Sequence, residues 1–163
     1  MDHRSRIRRR LRSLAWVELL NIPLQAVIWF VVAGFPVTVA NGVGFALFAL
    51  LLLQGSGYWF AKLRQLATHD RFLPGAGAFA AARRADVVVL AAGLAFLVWA
   101  MVADPGAGSW PGLGFGLFAA LELVNYFHVQ LMYDTAEDLR YLRSHGLRRA
   151  HLARDLSVRR RRP

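Results

Sequence analysis

Apolar residues dominate the chain from Leu14 to Tyr133, broken by one charged segment and by two turn-like breaks with no basic residue. From Leu19 to Ala61 there are 43 residues without a charge, about twice the ~20 that one helix needs to cross a 30 Å hydrocarbon core. Two helices must share that run. Gly34-Phe35-Pro36 marks the break and Asn41-Gly42 a second turn signal, which predicts helices over 14–33 and 38–62. A third fits 86–103, bounded by Asp86 and by Asp104-Pro105-Gly106. A fourth fits 111–133, with Pro111 in its first turn, where a missing N–H costs nothing. Trp110 and Tyr133 then lie near its two ends, at the depths interfacial aromatics favour.

The segment between the second and third helices holds Leu73-Pro74-Gly75-Ala76-Gly77, a turn, followed by an alanine-rich stretch. Beyond Asp134, Thr135 with Asp138 resembles a capping box, Gly146 is a helix stop, and a second basic helix fits 147–156. Leu139 with Leu142, and Leu152 with Leu156, put apolar contacts on one side of each short helix. Attachment to the inner leaflet and a plain solvated tail are the two readings of this region.

Charge converts this pattern into a topology. All 20 Lys and Arg fall in three islands: 4–12, 62–84 and 140–162. The two other connections between apolar stretches contain none. Under the positive-inside rule the islands face the cytoplasm. The expected fold is therefore all-α: an integral membrane four-helix bundle of the cell membrane with both termini inside. Its parts are a basic N-terminus (1–13), a four-span domain (14–133) and a basic tail with short amphipathic helices (134–163). The arginine-rich start followed by an apolar stretch resembles a signal peptide, but no small-x-small cleavage site follows, so the first span reads as an uncleaved anchor.

Composition agrees, since 56% hydrophobic residues is too apolar for an ordinary soluble domain of this length. A net charge of +10 is also the footprint of a nucleic-acid binder. Here the bases flank apolar spans and no nucleic-acid motif is present, so membrane lipids, with anionic headgroups at the basic termini, are the expected partners. The absence of cysteine excludes disulfides, thiolate metal sites and a cysteine nucleophile.

A faint repeat with an offset of 68 residues maps Gly44 onto Gly112, Tyr58 onto Tyr126, Trp59 onto Phe127, Leu63 onto Leu131 and Asp70 onto Asp138. It also pairs Glu18 with Asp86 and Gln54 with Glu122. Two helical hairpins entering from the cytoplasm would then be related by an axis along the membrane normal. In apolar sequence such matches are cheap, and the aligned polar positions are the best support.

Chemistry concentrates in the cytoplasmic half of the spans. Glu18, Asn21 and Gln25 recur at i, i+3 and i+7 on one helical face, with Pro23 expected to kink the helix between the last two. Gln54 and Tyr58 share a face that Lys62 continues, and Glu122, Asn125 and Tyr126 stack alike. Glu122, 11 residues from Tyr133, is roughly 16 Å deep at 1.5 Å per residue. A charge there costs about 2.5–3.5 kcal/mol on insertion scales. Such an acid is a proton or ligand site facing water, or neutral glue hydrogen-bonded to Gln54 or Asn21. Glu18, one turn inside, reads instead as a snorkelled partner of an N-terminal arginine.

Secondary candidates are weaker. His128 has no second histidine at ligand spacing, and His69-Asp70 is no stronger, so no metal site is expected. Asp134 and Asp138, one turn apart, have a spacing able to hold Mg²⁺ on a lipid diphosphate, or simply favour the start of the helix that follows. Gly55, Gly57, Gly112, Gly114 and Gly116 allow close helix packing, within the monomer or in a homodimer.

No motif implies a cofactor. Four short spans with a buried acid resemble, in architecture alone, small multidrug-type exporters. Three functions follow in order: binding or transport of a hydrophobic or lipid-like ligand through a cytoplasm-facing pocket around Glu122; a structural or accessory membrane subunit; and a lipid- or isoprenoid-modifying membrane enzyme using Glu122 or His128 with metal at Asp134 and Asp138.

Overall fold

A computed structural model describes residues 3–131 and 136–160, and these residues are mostly helical with no strand. The elements are α1 (His3–Ala26), continued as a π-helix over Val27–Val32, then α2 (Val39–Thr68), α3 (Ala76–Ala103), α4 (Trp110–Phe127), α5 (Ala136–His145) and α6 (His151–Arg160). Among the described residues, α1 with its π extension, α2 and α3 are long and apolar enough to cross a membrane. α4, 18 residues long, packs against α2 and α3.

Large apolar side chains remain on the outside, with Val31, Val32, Val39 and Val102 each more than 70% exposed. A water-soluble protein rarely leaves so much apolar surface uncovered, whereas a helix facing lipid must.

Local chemistry explains where the helices stop, and several boundaries differ from the sequence expectation. α1 runs through Pro23 without a break and widens to i→i+5 bonding from Val27, closed by Ala33 N–H to the Ile28 carbonyl at 2.8 Å. Gly34 then turns the chain with φ +69°. Asn41 lies not in a turn but in the first turn of α2, whose N-cap is Thr38, with Oγ1 accepting from the Asn41 N–H at 3.1 Å. α3 starts ten residues before Asp86, at Ala76, because the alanine-rich run after Gly75 is good helix-forming sequence.

α4 stops at Phe127 rather than continuing to 133. Asn125 Oδ1 accepts from the Leu131 N–H at 2.8 Å, and the following strand-like residues pair with the tail through Gln130 N–H to Arg148 O at 2.9 Å and Ala150 N–H to His128 O at 3.1 Å. Tail pairing thus replaces the last helical turn. Gly146, at φ +74°, ends α5.

α2 is the central helix, packed on α1, α3 and α4. It meets α4 most closely at Gly44 and Gly112, where a Cβ on either residue would run into backbone atoms of the other helix's segment. Leu47, Leu51, Leu90, Leu97 and Ala119 fill the core. At the loop end, Asn41 is fully buried and satisfies three backbone groups. Its Nδ2 donates to Pro36 O at 2.8 Å and Ala107 O at 3.0 Å, and its Oδ1 accepts from Gly112 N–H at 2.8 Å. Thr38 donates to the Gly108 carbonyl. Both inter-helix loops and the start of α4 are tied together there.

Candidate functional site

The opposite, basic end is built differently. Between α1 and α4, on a floor of α2, lies a cavity of about 200 Å³. Its polar lining includes Glu18 and Asn21 from α1, Tyr58 from α2, and Glu122, Asn125 and Tyr126 from α4. Leu14, Val17, Leu52 and Phe118 supply apolar walls. Val17 and Phe118 are also exposed on the outside of the bundle, so the rim borders the surface that faces lipid.

The acids are arranged around one phenol. Glu18 Oε1 accepts from Trp59 Nε1 at 2.8 Å, and Glu122 Oε2 accepts from Asn125 Nδ2 at 3.2 Å. The Tyr126 hydroxyl interacts with both carboxyls, which also interact with each other. Glu18 Oε2, shut off from the surface, makes no hydrogen bond of ordinary geometry. Only Gly55 lets this happen: a Cβ at that position would fall on the Tyr126 hydroxyl and on Glu18 Oε2. Two carboxyls from different helices line an apolar-walled space. Such a site can hold a cationic or hydrogen-bond-donating head, with the apolar body of the ligand against the walls.

Along α1 the polar face continues as a ladder. Gln25 Nε2 donates to Asn21 Oδ1 at 3.3 Å, and Trp29 Nε1 donates to Gln25 Oε1 at 2.9 Å. It lines a second cavity of about 310 Å³, which shares Asn21 and Phe118 with the first and is otherwise walled by Phe48, Trp110 and Phe115. Polar groups therefore run from the basic end into an aromatic cleft between α1 and α4.

α6 covers the basic end of the cavity. Asp155 accepts from the Tyr58 hydroxyl at 2.9 Å and forms an ion pair with Lys62 at 2.8 Å. Leu152 and Ala153 are buried, and His151, edge-on to Trp59 at 6.4 Å, lines the cavity with Leu152. The apolar side of the tail helix thus packs on the bundle, in place of the lipid surface or the solvent expected of it. Burial and the neighbouring Arg154 and Arg148 push the His151 imidazole below its ordinary value. Its Nδ1 lies 2.8 Å from an Arg154 guanidinium nitrogen, which acts as donor to the neutral ring.

Of the residues singled out by sequence, the cavity brings together Glu18, Asn21, Tyr58, Glu122, Asn125 and Tyr126, and leaves the others elsewhere. Gln25 belongs to the second cavity. Gln54 turns toward α3, where its Nε2 donates to Asp86 Oδ1 at 2.8 Å, and Asp86 is 2% exposed. His128 sits exposed at the C-cap of α4. Asp134, Thr135 and Tyr133 lie outside the described residues, as does the side chain of Asp138. Among the described residues, no three His, Asp or Glu side chains gather as a metal site.

Trp59, His151 and Asp155 join the site without having been singled out for it. Asp155 is the acid within the tail helix, one residue before Leu156, and that isolated charge among arginines was the available signal. Compared with protein-family models, with curated proteins and with solved structures, the chain matches none of them.

Proposed function

We propose that this chain is a four-span protein of the cell membrane, with both termini cytoplasmic, that binds or transports a hydrophobic or lipid-like ligand through the pocket around Glu122. One observation carries the reading: Glu18 and Glu122, on different helices, line the same apolar-walled cavity with Tyr126 between them. Acids at membrane depth are costly and mark ligand or proton sites by default. The position of the cavity between α1 and α4, with Val17 and Phe118 at its rim, favours entry from the bilayer. The two carboxyls favour a cationic head. Orientation follows from the basic islands, which the fold gathers at the end where α6 packs.

The duplicated hairpin belongs to the same proposal. If α1–α2 corresponds to α3–α4, the Glu18–Glu122 pair corresponds to the Asp86–Gln54 pair, and Gly44 meets Gly112 on the axis. That exchange of partners is what a two-fold relation demands.

Binding of a long-chain alkylammonium probe to the protein in lipid nanodiscs, measured against empty discs, tests the function. Saturable binding that weakens at least about tenfold in Glu122→Gln is expected, a loss of about 1.4 kcal/mol. Probe uptake equal to that of empty discs would sink the proposal.

A further inference from the structure

A second groove lies on the other side of α6, between that helix and the first turns of α3. It encloses about 740 Å³ and is lined by Arg83 and Arg84 of α3, Arg149 just before α6, and the apolar Val87, Ala153 and Leu156. Three guanidinium groups border one space, and the nearby acids are bonded to other side chains. Asp86 accepts from Gln54, and Asp155 is held by Tyr58 and Lys62. Among the described residues no acid pairs with Arg83, Arg84 or Arg149. Like charges gathered without a counter-ion repel one another unless an anion joins them.

Position identifies the anion. Arg83 and Arg84 are the last basic residues before α3 enters its uncharged run over 87–103, so they stand where headgroups meet hydrocarbon. Val87, which is 49% exposed, and Leu156 give the groove an apolar wall beside the guanidiniums. Guanidinium forks above an apolar wall match a phosphodiester above an acyl chain.

We propose that this groove binds the phosphate-bearing headgroup of an anionic lipid of the cytoplasmic leaflet, and that the bound lipid clamps α6 over the ligand cavity. α6 is suited to transmit the effect. Its His151 and Leu152 line the cavity, while Ala153, Leu156 and Ser157 line the groove. A headgroup bridging α3 to Arg149 ties the start of the tail helix to the bundle. This inference shares the cytoplasmic orientation proposed above but does not depend on what the cavity holds.

The test uses the full chain in nanodiscs of phosphatidylcholine, with and without phosphatidylglycerol, and follows amide hydrogen exchange over 151–157 together with lipid retained in native mass spectrometry. Phosphatidylglycerol is expected to slow exchange in α6 and to remain bound. Each arginine removed in Arg84→Gln, then Arg83→Gln/Arg84→Gln/Arg149→Gln, should return about fivefold of that protection, the factor equivalent to about 1 kcal/mol per base. The charge-matched control Arg4→Gln/Arg6→Gln/Arg8→Gln should keep it.

Three results would overturn the proposal: no slowing by phosphatidylglycerol in the unmodified protein, full protection in the triple groove variant, or equal loss in the N-terminal control. Protection by inorganic phosphate in pure phosphatidylcholine would assign the groove to a soluble phosphate and overturn the lipid assignment. The exposed Arg84→Gln and the lipid comparison on unmodified protein keep the test decisive even if the triple variant misfolds.

Discussion

Among the described residues, two pairs of polar side chains lie between the helices of this protein, and they are treated in opposite ways. Gln54 and Asp86 join α2 to α3 directly, amide to carboxyl at 2.8 Å, with Asp86 2% exposed. Glu18 and Glu122 are held apart by Tyr126 and border a cavity of about 200 Å³. The amide donates to the acid, so the first pair joins α2 to α3 directly as glue, with Gln54 Oε1 and Asp86 Oδ2 left without a hydrogen-bond partner. Two acids cannot bond each other without protons or a third group, and here the Tyr126 hydroxyl interacts with both beside a cavity. Burial depth alone does not separate a site from a strut; the chemistry of the partner does.

The strongest way to break that contrast is Gly55→Ala. The added methyl falls on Tyr126 and Glu18, which must move apart, whereas Gln54 of α2 is bonded to Asp86 of α3. Probe binding in nanodiscs should fall at least about tenfold, and an unchanged affinity would mean the phenol and the acid do not shape the site.

Gln54→Leu sharpens the other side. It strips the Asp86 carboxyl of its donor and should destabilise the protein by about 1–3 kcal/mol, read by detergent-induced unfolding, while probe affinity holds. A loss of affinity instead would make this pair part of the site.

Asp155→Asn removes the ion pair to Lys62, whose side chains are 26% and 21% exposed. About 1 kcal/mol or less is at stake, visible as faster amide exchange in α6 alone. Uniformly faster exchange across α2 and α4 would show that the clip supports the whole bundle.

The smallest effect concerns His151. Its folded value is lowered, by burial first and then by Arg154 and Arg148, with Lys62 adding to them and Asp155 opposing. The undocked tail therefore takes up a proton more readily than the docked one, and docking weakens as pH falls below the ordinary value of 6.5. Protection of the α6 amides, taken against their intrinsic exchange rate at each pH, should fall from pH 7.5 toward about 5.5, and His151→Phe should flatten the change. Persistence of the pH response in that variant would assign it to another group.

Much of the helix pattern was legible because uncharged runs of membrane length have few other interpretations, and the breaks at Gly34 and Asp104 carry turn chemistry. The cavity residues were legible as stacked polar positions, since a helix must place i, i+3 and i+7 on one face. What was not legible is which neighbour each face meets. Gln54 looked like a companion of Tyr58, yet it turns to α3 because Asp86 offers a carboxyl there. Asn41 looked like a turn residue because an amide that competes with backbone hydrogen bonds serves equally in a turn and in a helix's first turn. Only the return of the 104–109 loop gives it three backbone partners. The docking of α6 was hidden for the same reason, since an amphipathic segment does not declare whether its apolar side meets lipid or protein.

The glycine contact between Gly44 and Gly112 has a mechanical consequence. With no side chain between the two backbones and Asn41 fastening both loops beside it, that end of the bundle is a pivot. From Gly44 to Tyr58 the helix forms an arm of roughly 21 Å. A rocking of α2 against α4 by about 10° would then move the far end by roughly 4 Å, enough to widen the mouth beneath α6 while the pivot scarcely shifts. The hollow end is where the leverage is greatest.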